Sequence, residues 1–106
     1  MKLKLSITER LYLVPIFPEK SSFEKNILAK DIVKKVGLNQ EDVTKYDIKE
    51  TEGGKLRWNF IDGSDVEEFE FTDKEISLIK EILRTQNESN ILHTNLNDVY
   101  EKLILN

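Results

Sequence analysis

Phe69-Glu70-Phe71-Thr72-Asp73-Lys74-Glu75-Ile76 changes structural period partway along. Phe69 and Phe71 alternate with charge, the period of a half-buried strand. Thr72 then begins Thr-x-x-Glu, the spacing of a capping box. In that motif the hydroxyl accepts the third helical N–H and the Glu reaches back to the cap's own N–H. From Asp73 the apolar residues Ile76, Ile79 and Leu83, with Leu78 and Ile82 beside them, follow helical spacing to a predicted end near Gln86. A strand running straight into a capped amphipathic helix predicts a domain that mixes the two element types.

Working toward the N-terminus, Leu56, Trp58 and Phe60 alternate with polar residues, as do Tyr46 and Ile48. If the apolar residues share one face, Ile48 lies near Trp58 and Glu50 near Leu56. The loop is then Glu52-Gly53-Gly54, and a three-residue hairpin loop calls for a left-handed residue at its end. A two-residue loop would move every side chain to the wrong face. In the next hairpin, Trp58 opposite Phe69 leaves Asp62-Gly63-Ser64-Asp65 as the turn and pairs Arg57 with Glu70 across the strands. The expectation is a three-stranded antiparallel meander with Ile48, Trp58 and Phe69 facing a dry interior.

Further out lie more helices. Ser6-Ile7-Thr8-Glu9 and Ser21-Ser22-Phe23-Glu24 repeat the capping-box spacing. The first starts a short helix through Leu13, ended by Pro15 and Pro18. The second starts a helix over about 22–36 with Leu28, Ala29, Ile32, Val33 and Val36 as its apolar stripe. Gly37 is expected as a left-handed C-cap. Asn39 caps a stub through Val43. Leu3 and Leu5 alternate with Lys2 and Lys4, an extended arm or edge strand. At the other end, Thr94 or Asn95 caps a helix carrying Leu96, Val99, Tyr100, Leu103 and Ile104. The expected fold is α+β over a single domain, residues 1–106: N-terminal helices, the meander, and two C-terminal helices packed on one sheet face.

Composition narrows function by exclusion. A chain of 106 residues can bury a core without metals or disulfides. It has no Cys, so thiolate chemistry and sulfur-ligated metals are excluded. No apolar run suits a signal peptide or a membrane span, and a cytoplasmic setting is expected. Charged residues are 34% of the chain with a net charge of −4, and the signs are interspersed. That balance disfavours nucleic acid, which calls for a positive footprint.

The motifs point the same way. His93, the only histidine, precedes a helix cap in a polar stretch and lacks the neighbours a general base needs. Gly37, Gly53, Gly54 and Gly63 are explained by caps and turns, not a phosphate cradle. Asp62, Ser64, Asp65 and Glu67 make an oxygen-rich loop without EF-hand spacing. Trp58, Phe60, Phe69 and Phe71 could stack on RNA bases if exposed. The opposite face, however, holds Lys49, Arg57, Asn59, Glu68 and Glu70, which cannot form a core. The expectation is therefore a non-enzymatic chain without catalytic residue, cofactor, metal or small-molecule ligand. The early stretch around Tyr12, Ile16 and Phe17 is the candidate partner surface, for another protein or for self-association. The alternative is a winged-helix DNA binder, since a helix ending at Val36 precedes a turn, a short helix and a hairpin.

The order of landmarks resembles small uncharacterised phage and prophage proteins of bacteria along nearly the full length. It rests on Glu9-Arg10-Leu11 in the first helix, the break at Pro18 before Phe23, Arg57-Trp58 in a central strand, Phe71 through Leu83, and Tyr100-Glu101-Lys102 near the end. The resemblance implies a bacterial cytoplasm during phage growth or lysogeny, and it brings no activity and no site residue.

Overall fold

The structure is a computed structural model that describes residues 1–58 and 65–105. Strand β1 (Lys2–Leu5) leads into helix α1 (Ile7–Leu13), which tightens into a 3₁₀ turn at Val14–Ile16. Helices α2 (Phe23–Val36) and α3 (Gln40–Lys45) follow, then the short strands β2 (Lys49–Glu50) and β3 (Leu56–Arg57). Strand β4 (Glu67–Glu70) runs into α4 (Asp73–Glu88). The last helical segment begins as a 3₁₀ turn (Thr94–Leu96), continues as α5 (Asn97–Tyr100) and widens to a π turn (Glu101–Leu105). The mixture of helix and strand is as expected.

The meander is not. Among the described residues, the strands form two separate two-stranded antiparallel sheets, β1 with β4 and β2 with β3. Phe69 lies opposite Leu3 instead of Trp58, and Glu70 opposite Lys2 instead of Arg57. The physical reason is complementarity along a whole edge. Pairing with β1 sets Lys2 against Glu70 and Lys4 against Glu68 on the wet face, and Leu3 against Phe69 on the dry one. The meander offered only the Arg57–Glu70 charge pair. Phe60 and residues 62–64 of the expected turn at 62–65 lie outside the described residues.

The first hairpin does take the expected register, with Glu50 opposite Leu56. The Thr51 N–H bonds the Lys55 carbonyl at 2.7 Å. Gly53 and Gly54 both have positive φ, 82° and 76°, which makes Glu52-Gly53-Gly54 the loop. Its aromatic face is not core, however. Ile48 and Trp58 are only half-buried and stand outside the main apolar cluster, whereas Phe69 packs against it. The three residues therefore do not share one interior.

That cluster draws on nearly every other element. Leu3 and Leu5 of β1, Leu13 of α1, Ile32 and Val36 of α2, and Phe71 at the end of β4 meet α4 and the last helical segment. From α4 come Ile76, Leu78, Ile79, Ile82 and Leu83, the stripe expected from the sequence. Leu96, Val99 and Leu103 close it from the C-terminal side.

Capping fixes where the helices start. Ser6 with Glu9 and Thr72 with Glu75 form reciprocal boxes. At α2 the cap is Ser22, whose hydroxyl accepts the Lys25 N–H at 3.2 Å; the box predicted at Ser21 with Glu24 does not form. Asn39 and Asp42 make a box the Ser/Thr–Glu pattern did not anticipate. Gly37 is needed for space, not for a left-handed turn. Its φ is −61°, and a Cβ there would stand 2.8 Å from the Val33 carbonyl oxygen. The left-handed cap belongs instead to α4, which runs past Gln86 to Glu88. Asn90 has φ 59°, the Ile91 N–H bonds the Gln86 carbonyl, and the Asn90 N–H bonds that of Asn87.

Leu83 is fully buried at the centre of the α4 stripe. Leu83→Ala should lower the unfolding free energy by about 3 kcal/mol, the usual cost of a core methyl deletion plus cavity, measured by urea unfolding.

Candidate functional site

Three clusters of charged and polar groups are built tightly enough to ask whether they do chemistry. The deepest centres on Arg10, which leaves only 2% of its surface exposed. Its spacing from Ile7 and Leu13 puts it on the buried side of α1. The Nε donates to the Val36 carbonyl at 2.7 Å, and Nη2 donates to the Gly37 carbonyl at 3.1 Å and to Asp42 Oδ2 at 2.8 Å. The guanidinium also lies 5.0 Å from the centre of the Phe69 ring. Asp42 is held by its own helix as well, since Oδ2 accepts the Asn39 N–H at 3.0 Å. One side chain thus caps the C-terminus of α2 and completes the start of α3. Burial raises the Asp42 pKa. The bond from Arg10, the Asn39 N–H and the charges of Arg10 and Lys45 outweigh it, leaving the carboxyl below its usual value.

The second cluster ties α2 to α4. Glu75 Oε1 accepts the Thr72 N–H at 2.8 Å and the Lys35 ammonium at 2.6 Å. Lys35 also lies 5.5 Å from the centre of the Phe71 ring. Glu75 is buried, which opposes its charge, yet Lys35 and the Thr72 cap hold its carboxyl below the ordinary value. The third cluster joins α3 to β4. The Tyr46 hydroxyl donates to Glu67 Oε1 at 2.6 Å and Lys45 donates to the same oxygen at 3.1 Å. Tyr46 first, and Lys45 with it, lower the Glu67 pKa against its partial burial. Desolvation and the hydrogen bond to Glu67 raise that of Tyr46.

Each cluster joins two or more elements of the chain, so they brace the fold. They do not present a nucleophile or a base to a cavity. His93 is exposed, caps the last helical segment by accepting the Asn95 N–H on Nδ1, and stacks on Tyr12 with ring centres 4.0 Å apart. Of the oxygen-rich loop, Asp62 and Ser64 lie outside the described residues and Glu67 is committed to Tyr46 and Lys45. Among the described residues, no cluster of three or more metal-ligating side chains occurs.

The surface is more telling. Of the expected partner stretch, Ile16 and Phe17 are half-buried against the core, and Tyr12 is exposed beside His93. Elsewhere, two exposed apolar residues share one helix face. Phe23 is 74% exposed and Ile27 45%, one turn apart on the side of α2 that faces away from Ile32 and Val36. The available sequence signal was two apolar residues off the buried stripe. On the inner side of α2, Leu28 and Leu78 line a cleft of about 490 Å³ between α2 and α4. A neighbouring cleft of about 270 Å³ includes Ile16, Leu78 and Ile82. The exposed Lys25–Glu81 ion pair, 2.9 Å, borders both.

Removing one partner of the buried Arg10–Asp42 pair strands the other. Arg10→Met should cost about 3–5 kcal/mol in urea unfolding. The depressed carboxyls of Asp42, Glu75 and Glu67 add stability that is present above their ordinary values, 3.8 for Asp and 4.5 for Glu. That stability is lost as pH falls through the lower folded-state values, because the unfolded chain takes up protons first. Asp42→Asn should therefore flatten the fall in stability across the acid range, measured by thermal unfolding as a function of pH.

No helix among the described residues is long and apolar enough to cross a membrane. No family model, curated protein or solved structure matches the chain. The functional reading therefore rests on the chemistry of its own surface.

Proposed function

We propose that this chain is a non-catalytic protein-interaction or assembly module. The observation that carries the reading is the Phe23–Ile27 pair, held out on a helix whose other face is already fully used by the core. An exposed Phe contributes little to folding. Adjacent exposed apolar side chains on one helix face suit a surface that a partner covers. The tight polar clusters support the same reading, because their groups are satisfied within the chain. The resemblance to phage and prophage proteins adds a bacterial cytoplasm as the setting.

The test is affinity capture with tagged chain in phage-infected bacteria, comparing wild type with a Phe23→Asp, Ile27→Asp double variant. Both positions are exposed, so the variant should keep its thermal midpoint within a few degrees. Wild type should retain a protein, a second copy included, in fixed proportion, and the variant should lose it. Equal retention by both, or no association of either, would overturn the reading.

One observation favours the DNA-binding alternative: α2, a turn, α3 and the β2–β3 hairpin do occur in the order of a winged helix. The details weigh against it. Asp42 turns inward to Arg10, Glu41 stands exposed at the start of α3, and Lys45 is spent on Glu67. Random duplex DNA at low salt should show no binding; an affinity that falls steeply with added salt would restore the alternative.

A further inference from the structure

We infer that the partner of the α2 face is a second copy of this chain, docked antiparallel through the same helix. This rests on the interaction-module reading and names its partner. The argument is self-complementarity, the condition a two-fold interface must meet. Phe23, Ile27, Lys30 and Lys34 follow i, i+4, i+7, i+11 spacing and form one outward stripe. The stripe is divided. Its N-terminal half is apolar, with Glu24 beside it, and its C-terminal half is basic. Among the described residues, Glu24, Asp31, Lys30 and Lys34 form no ion pair, whereas Lys25 and Lys35 on the inner side are both committed.

Parallel docking would stack Phe23 on Phe23 and set the lysines against one another. Antiparallel docking sets each apolar half against the other copy's lysines. The long Lys30 and Lys34 stems can cover Ile27 and Phe23 while their ammonium groups reach Glu24 and Asp31 of the second copy. A lysine over the Phe23 ring adds a cation–π contact. The repulsion between Lys30 and Lys34, four residues apart on one helix, is relieved by those acids. The two helix dipoles also oppose each other favourably. One 14-residue helix supplies most of the contact, so the dimer belongs to the weak, reversible class. A Kd on the order of 10–100 μM is expected.

Sedimentation equilibrium of the purified full chain, across about a hundredfold range of concentration centred on that Kd, tests this. Wild type should pass from monomer to dimer, and Ile27→Lys should weaken the dimer at least about tenfold, since it removes a buried anchor and sets another cation against Lys30 and Lys34 of the second copy. Glu24→Lys and Lys34→Glu should each weaken it, and the double variant carrying both should recover most of the wild-type affinity. A wild type that stays monomeric, a dimer indifferent to Ile27→Lys, or a double variant no tighter than the singles would overturn the inference. If wild type is monomeric yet the Phe23→Asp, Ile27→Asp variant loses a different captured protein, only the second copy is removed as partner. If wild type is monomeric and nothing is lost on capture, the interaction-module reading fails with it.

Discussion

A single buried guanidinium organises the N-terminal half of this protein. Arg10 joins α1 to the junction of α2 and α3, where the last carbonyls of α2 would otherwise be unpaired. Burying a cation is costly unless nearly every donor finds an acceptor. Here the acceptors come from three different places in the sequence, Val36, Gly37 and Asp42, so the charge is tolerated only when all of them are in position. The pair thereby selects one arrangement of helices over other apolar packings of similar area. It also explains why α3, only one and a half turns long, holds its place: its first turn is anchored by Asn39 from within and by Arg10 from outside.

The same device recurs at α4. Glu75 closes the cap on its own helix and receives Lys35 from α2, so the two longest helices are tied where α4 begins. Below that tie, apolar packing does the rest, from Ile76 to Leu83 against Ile32 and Val36. The buried charges of Arg10, Asp42 and Glu75 are joints between elements. Those left on the outer face of α2 have no such duty, and that difference gives the face its functional interest.

Local features were legible in the sequence and distant pairings were not. Ser6, Thr72 and the α4 stripe could be read because a cap and a helical face are decided within a few residues. The Glu52-Gly53-Gly54 loop was legible because strand parity and two positive-φ glycines agree. Gly37 was placed correctly but for the wrong reason, since its tight approach to the Val33 carbonyl depends on how the helix ends in space. The β1–β4 pairing was missed because Phe69 has plausible partners both near and far, and alternation does not measure distance along the chain. Arg10 was placed in the first helix but not singled out. Its spacing from Ile7 and Leu13 was the available sign, and only the acceptors of α2 and α3 give that spacing meaning. As for the surface, Tyr12, Ile16 and Phe17 were singled out for apolar character alone, whereas exposure picks out Phe23 and Ile27.

The pairing of Lys2–Leu5 with Glu67–Glu70 bears on how the molecule is made. On the ribosome the first strand emerges long before its mate, and α1 and α2 emerge before the α4 surface they pack on. Until then Leu3, Leu5, Ile32 and Val36 have no finished interior to enter, and closing so long a loop must precede the reward of the contacts it brings. Folding is thus postponed until α4 has cleared the exit tunnel. The nascent N-terminal half is the stage at which chaperones have most to shield.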